Sequence, residues 1–226
     1  MRWTFFIQQK LKVAALLACI MALIVITNLL GRKSVGDFSR SFSAIYNDRL
    51  VPATDIFHLT ENLYHKRFLI EDLLFSENTD AHTVAGKLDE HNRHIATLVT
   101  KYEKTYLVDR ESQSLDRFKR LLGNYSQLEQ AIIRLSRDNY KEAGANLYKT
   151  EGKPAHQQII KQLAELTDIQ ALVGNELIKD SAGIAATANL LFFIQIVLAM
   201  VIGAIIMALV LSSKITGKVQ HDYNLN

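Results

Sequence analysis

Residues 34–75, SVGDFSRSFSAIYNDRLVPATDIFHLTENLYHKRFLIEDLLF, decide the fold. Apolar residues recur there in steps of four and three: Phe38, Phe42 and Ile45, then Ile56, Leu59, Leu63, Ile70 and Leu73. That period belongs to a helix burying one narrow seam against other helices, not to a strand. Continuing the register puts Arg49, Pro52 and Lys66 on the same seam, and Pro52 is the one interruption of the period. Such a helix would be about 42 residues and roughly 63 Å long at the α-helical rise. It begins directly after an apolar run, so it reads as a rod standing on a membrane.

The flanks agree with that reading. Residues 1–12 carry Arg2, Lys10 and Lys12 and no acid. Residues 13–30 form a charge-free run of about 18 residues, enough to cross a bilayer. The run is longer than the apolar core of a signal peptide, and Gly31-Arg32-Lys33 offers no small-x-small cleavage site, so an uncleaved anchor is expected. A second charge-free run of about 22 residues spans 190–211 and is followed by Lys214 and Lys218. Inside it, Gln195 and Gly203 either meet a neighbouring helix or are simply tolerated. Basic residues at both ends place both termini in the cytoplasm and the centre outside, with Arg32, Lys33 and Arg40 acting against this.

Between the spans the pattern is helical throughout. Residues 76–80 make a polar turn in which Asn78, Thr79 or Asp80 is positioned to cap the next helix. That helix shows Val84, Leu88, His91, Ile95, Leu98 and Tyr102 on one face and ends near Leu107. A turn at 108–110 leads to a third helix carrying Leu115, Phe118, Leu122, Tyr125, Leu128, Ile132 and Leu135 and closed by Asp138-Asn139. A short helical piece over 140–148 and an irregular link over 149–153 come next. Pro154 suits the first turn of a last helix, whose stripe is Ile159, Leu163, Leu166, Gln170, Val173 and Leu177. Short turns force neighbouring helices to run antiparallel. The expected fold is therefore all-α: a membrane-anchored up-down-up-down four-helix bundle flanked by two transmembrane helices. Its boundaries are a cytoplasmic N-terminus 1–12, spans 13–30 and 188–211, a periplasmic bundle 31–187, and a short cytoplasmic tail 212–226.

Composition narrows the function. Two prolines and ten glycines are too few for a turn-rich β fold, and a net charge of +3 does not suit a nucleic-acid binder. The single cysteine, Cys19, excludes an intrachain disulfide. Nucleophile motifs, phosphate loops and dinucleotide fingerprints are missing from the sequence, as is the Glu-x-x-His pair of di-iron bundles. Neither an enzyme nor a cofactor is expected.

Ser41-Phe42-Ser43-Ala44-Ile45-Tyr46-Asn47-Asp48-Arg49-Leu50-Val51-Pro52 resembles a Tyr-x-Asp-Arg-Leu-x-Pro-like segment above the first span of a known sensor module. This is the periplasmic four-helix-bundle module of methyl-accepting chemotaxis receptors. Asn139-Tyr140-Lys141-Glu142-Ala143 resembles the short element opening its last helix, and the likeness runs over about residues 1–216. The departure is at the end. Ser213-Lys214-Ile215-Thr216 resembles the entry to a HAMP linker, but Gly217-Lys218-Val219 stands where a proline is expected. The reading is thus of a sensor module lacking the HAMP and cytoplasmic signalling parts.

Candidate site residues emerge from position and from that resemblance. Arg49 on the seam is expected either to form a structural ion pair or to snorkel its stem near the stalk. Lys66 and Arg67 lie in the distal half of the rod, where a guanidinium suits a carboxylate ligand. The resemblance to aspartate-type receptors makes Arg67 the analogue of their ligand-holding arginines, and a solvated charged face is the other reading. Histidines lie on the first two helices, His58 and His65 on one and His82, His91 and His94 on the next, and folding about the turn near residue 78 brings His65 level with His91. No metal is expected there, but these two are the residues to inspect. The tyrosines, Tyr46 and Tyr64 among them, are expected to pack with hydroxyls at the edge. The expected function is a chemoreceptor-like transmembrane sensor without its own cytoplasmic output domain. It would be a homodimer that binds a small molecule and works with a chemoreceptor or another membrane signalling partner in the bacterial inner membrane. The alternatives are a structural or accessory subunit of an envelope complex and a truncated receptor.

Overall fold

The computed structural model describes residues 2–221, with side chains described over 15–208. Every element among the described residues is helical. In chain order they are α1 (Arg2–Ile45), a π-helical turn (Tyr46–Leu50), α2 (Val51–Phe75), α3 (Ala81–Glu103), α4 (Asp109–Arg137), α5 (Lys141–Leu147), a second π turn (Tyr148–Gly152) and α6 (Lys153–His221). The chain divides into two compact units, residues 42–178 and the two ends outside them.

Residues 42–178 form the bundle, in which α2, α3, α4 and the first part of α6 are the four rods. Its turns are closed by side chains. Asp80 caps α3, accepting from Thr83 N at 2.8 Å, and that bond holds its carboxyl below the usual range. Asp72 gathers Thr79 Oγ1 at 2.8 Å and Ser76 Oγ at 2.6 Å, folding the 76–80 turn back on α2. At the end of α4, Asn139 takes φ 64°, and Tyr140 N reaches Leu135 O at 2.8 Å. This is the left-handed Schellman closure that Asn tolerates better than most residues.

The seam enters the core only from Arg49 onward. Ile56, Leu59, Leu63, Ile70 and Leu73 are buried, whereas Phe42 is 65% exposed. The reason is where the α3–α4 turn ends. Tyr106 O accepts from Arg49 Nη2 at 3.2 Å, so residues of the bundle's first rod before this level have no α3 or α4 to pack against. Against the inner face stand Ile95, Val99, Tyr102, Leu115 and Phe118, with Ile159, Leu163 and Leu166 from α6. Each fully buried Leu or Ile contributes about 1.5–3 kcal/mol of apolar burial.

Two departures from the expected helices share one cause. The first rod is not continuous α-helix, and residues 149–153 are not irregular: both places hold a π turn. In each, a backbone N–H reaches back five residues, Val51 to Tyr46 O and Lys153 to Tyr148 O. A proline stands one residue later, Pro52 and Pro154. Proline donates no N–H, and its ring collides with the carbonyl four residues earlier, on Asp48 or Thr150. Widening the preceding turn by one residue displaces that carbonyl while the chain stays helical. At the second turn Gly152 accommodates the ring of Tyr148, whose Cδ2 would lie 3.0 Å from an added Cβ.

Arg49 lies in the first π turn and is 5% exposed, at the level where all four rods meet. Its Nη1 donates to Glu111 Oε2 of α4 at 2.9 Å and to Gln170 Oε1 of α6 at 3.3 Å. Tyr102 of α3 donates to Glu111 Oε1 at 2.6 Å and accepts from Gln170 Nε2 at 2.9 Å; Gln170 also donates to Glu111. Burial and the adjacent carboxylate push the Tyr102 hydroxyl far above its ordinary pKa, so it stays a donor.

In the other unit, the apolar stretches of α1 and α6 are long and apolar enough to cross a membrane, with mean hydropathy 2.1 and 2.9. Ile20, Thr27 and Gly31 on α1 and Ser181 and Ala188 on α6 are shielded, while Met21, Leu29, Phe193 and Met207 are exposed. Small residues at the shielded positions suit close helix packing without water. Gln195 lines a cavity of about 370 Å³ with Asn28 and Gly31. Arg2, Lys10, Lys12, Lys214 and Lys218, on which orientation rests, lie outside the described side chains.

Replacing Arg49 by Leu leaves the Glu111 carboxylate buried without its cation. Unfolding of the detergent-solubilised protein, monitored by circular dichroism, should show a loss of about 3–5 kcal/mol. Pairing Arg49→Met with Glu111→Leu should recover most of that loss, because the desolvated charge is then removed with its partner.

Candidate functional site

The distal half of the bundle holds a second buried ion pair. Lys66 is fully buried, its Nζ 2.8 Å from Glu129 Oε2 of α4 and 2.6 Å from Asn92 Oδ1 of α3. The ammonium also lies 5.4 Å from the centre of the Tyr125 ring, a cation–π arrangement. Burial pushes the Glu129 carboxyl up, against the opposing pull of Lys66. In this geometry Lys66 presents no surface to solvent and is neutralised within the bundle.

Arg67 points elsewhere. Its Nε donates to Glu71 Oε1 at 2.9 Å, and Tyr148 Oη donates to that same oxygen. Burial pushes Glu71 up, but the bonds from Tyr148 and Arg67 outweigh it and hold the carboxyl below its usual range. Burial and Glu71 together push the Tyr148 hydroxyl up to about 12. Arg67 remains partly exposed, at 26% of its side chain. The two sequence candidates therefore belong to different clusters.

Histidines gather between α2 and α3. His65 of α2 and His91 of α3 stack with ring centres 5.5 Å apart and planes 9° from parallel. They line a groove of about 470 Å³ together with His58, Glu61 and Asn62 of α2 and His94, Thr97 and Leu98 of α3. His91 Nδ1 lies 2.7 Å from Asn62 Oδ1, and burial, then the neighbouring His65, lowers the pKa of His91. The level match of residues 65 and 91 was legible in the sequence. His58 and His94 were also visible there as histidines of the same two helices, but Glu61 was not, although it lies three residues from His58 and four from His65 on one helix face.

Outside the core, the first rod of the bundle exposes a second stripe: Phe42, Tyr46, Leu50, Phe57, Tyr64, Phe68 and Phe75, each between 39% and 65% exposed. Spaced by four or seven residues, these share one helix face. The expectation of one seam rich in Phe and Ile is thereby divided. The Ile and Leu residues from 56 onward face the core, and the aromatic residues face out.

His156 is the most enclosed of the described histidines, 1% exposed, with its ring 5.1 Å from that of Tyr64 and 5.8 Å from that of Tyr125. Burial, then the charge of Arg67, lowers its pKa, with the Leu63 carbonyl and Glu71 opposing and Lys66 reinforcing. An unfolded histidine titrates near 6.5, so below that value the unfolded chain binds more protons than the folded one. The contribution of His156 to stability is therefore full above about pH 6.5 and is lost as the pH falls below it, through the lowered folded-state value. Urea unfolding at a series of pH values should show this decline, and His156→Phe, which keeps a ring in place, should flatten it.

The family described as a four-helix-bundle sensory module for signal transduction matches residues 5–185. Searches of curated proteins and of solved structures find no match. The matched region takes in the first apolar helix, both π turns, both buried ion pairs and every rod of the bundle. The chain belongs to the family of four-helix-bundle sensory modules for signal transduction.

Proposed function

We propose that this chain is a sensor, not an enzyme, anchored in the bacterial inner membrane with both termini cytoplasmic and the bundle periplasmic. It binds a small molecule or a periplasmic partner and passes the signal to a chemoreceptor or another membrane signalling protein. The observation that carries this reading is the sensory-module match over residues 5–185. Two helices long and apolar enough to span a bilayer support the anchoring. The course of α6 supports transmission: Lys153–His221 is one helix, containing both Gln170 of the buried network and the second apolar stretch. A bias on α6 within the bundle is thus shared along that helix as a small sliding motion.

The exposed aromatic stripe supports a homodimer. A contiguous apolar face on a rod is covered by an isologous copy at little cost in polar desolvation. Tyr46 and Tyr64 suit such a contact, being apolar over the ring and polar at the tip.

Single cysteines introduced on a Cys19→Ala background test this. In membranes, Phe57→Cys or Phe68→Cys should give an oxidant-dependent crosslinked dimer, whereas Gln127→Cys on an exposed part of α4 should not. Equal crosslinking from all three positions would remove the dimer reading. Cleavage of the bundle by protease from the cytoplasmic side of sealed vesicles would overturn the topology.

A further inference from the structure

The histidine groove between α2 and α3 carries an inference independent of membrane orientation and of dimerisation. Its eight lining residues include four histidines and one carboxylate, Glu61, and no lysine or arginine. A groove with that charge balance favours a cation over an anion. The absence of thiol and thioether groups from the lining, and its abundance of imidazole, point to zinc, copper or nickel over softer ions.

His91 is oriented as a metal ligand would be. The Asn62 amide oxygen accepts only, so the proton of the neutral ring sits on Nδ1 and the Nε2 lone pair is free. A hydrogen bond of this kind from the far ring nitrogen is the usual support of a ligating histidine. Across the groove His65 lies parallel to it at 5.5 Å. Further donors are at helical chelating intervals: His94 is three residues from His91, and Glu61 is four from His65. No three such side chains among the described residues already stand grouped to hold a metal. Glu61, His65 and His94 are exposed, however, so their side chains have room to turn inward.

We infer that the groove binds one divalent transition-metal ion of the zinc and copper class, with His65 and His91 as its anchors and His94 and Glu61 completing the shell. Binding bridges α2 and α3, and so fixes two rods of the bundle to one another. Mg²⁺ and Ca²⁺, which prefer oxygen ligands, are not accepted.

The test uses the full, untagged chain in detergent micelles, titrated with Zn²⁺ by calorimetry. One equivalent should bind, and His65→Asn combined with His91→Asn should weaken it at least about 100-fold. Asn62→Ala should weaken it by about 10–100-fold while leaving all donors in place. His82→Asn and His156→Phe, outside the groove, should have no effect. Cu²⁺ bound in place of Zn²⁺ should show nitrogen superhyperfine splitting in its electron paramagnetic resonance spectrum, lost in the double variant. Absence of heat and of that spectrum, undiminished binding in the double variant, or equal binding of Mg²⁺ would overturn the inference. Single variants at exposed His65 and His94 keep the test decisive if His91→Asn perturbs folding, as each should weaken Zn²⁺ binding with helicity unchanged.

Discussion

A buried cation on the first rod must meet a buried anion on the third, and much of the bundle depends on that requirement. Arg49 with Glu111, and Lys66 with Glu129, are two such pairs on α4 and the rod containing α2, at 2.9 and 2.8 Å. Each is nearly inaccessible to water, so neither member tolerates displacement from its partner. Apolar contacts alone would allow rods to slip by a turn with modest loss. Two ion pairs at different heights, with Gln170 and Tyr102 completing one and Asn92 the other, distinguish the native register from its neighbours. Apolar substitutes often match such pairs in net energy, so their presence is weak evidence for stability in itself.

Arg49 lies within a backbone adjustment, and the prolines supply its location. Both prolines of the chain come after a π turn that begins at a tyrosine six residues earlier, Tyr46 to Pro52 and Tyr148 to Pro154. The extra residue in each turn rotates the helix before it relative to the helix after it. At Tyr148 the same device brings the hydroxyl to Glu71, and so connects the start of the last rod to the side chain holding Arg67.

Two faces of one helix serve two purposes. The inner face of α2 is aliphatic and closes the bundle; the outer face is aromatic and remains uncovered. Between them, Asn62 turns toward α3 and sets the orientation of His91 in a groove lined by neither face. The membership of the chain in a sensory-module family gives these surfaces a context, because a sensor needs both a rigid register and a surface open to its ligand or partner.

The number and order of the helices, their turns and the apolar spans could be read along the chain, because three-four periodicity and capping residues are local properties. Counting also placed Arg49 and Lys66 on a buried seam. It did not place their partners. The stripe read for α4 ran through Leu122, Leu128 and Leu135, whereas Glu111 and Glu129 are the more deeply buried. A rod packed on two sides has a wide inner face, and which of its neighbouring positions points most directly inward depends on the rotation of the whole helix. Likewise the π turns were hidden, since one inserted residue leaves composition unchanged and alters only phase. Pairing, rotation and the splitting of one apolar pattern into core and surface are relations between helices, and only the tertiary structure decides them.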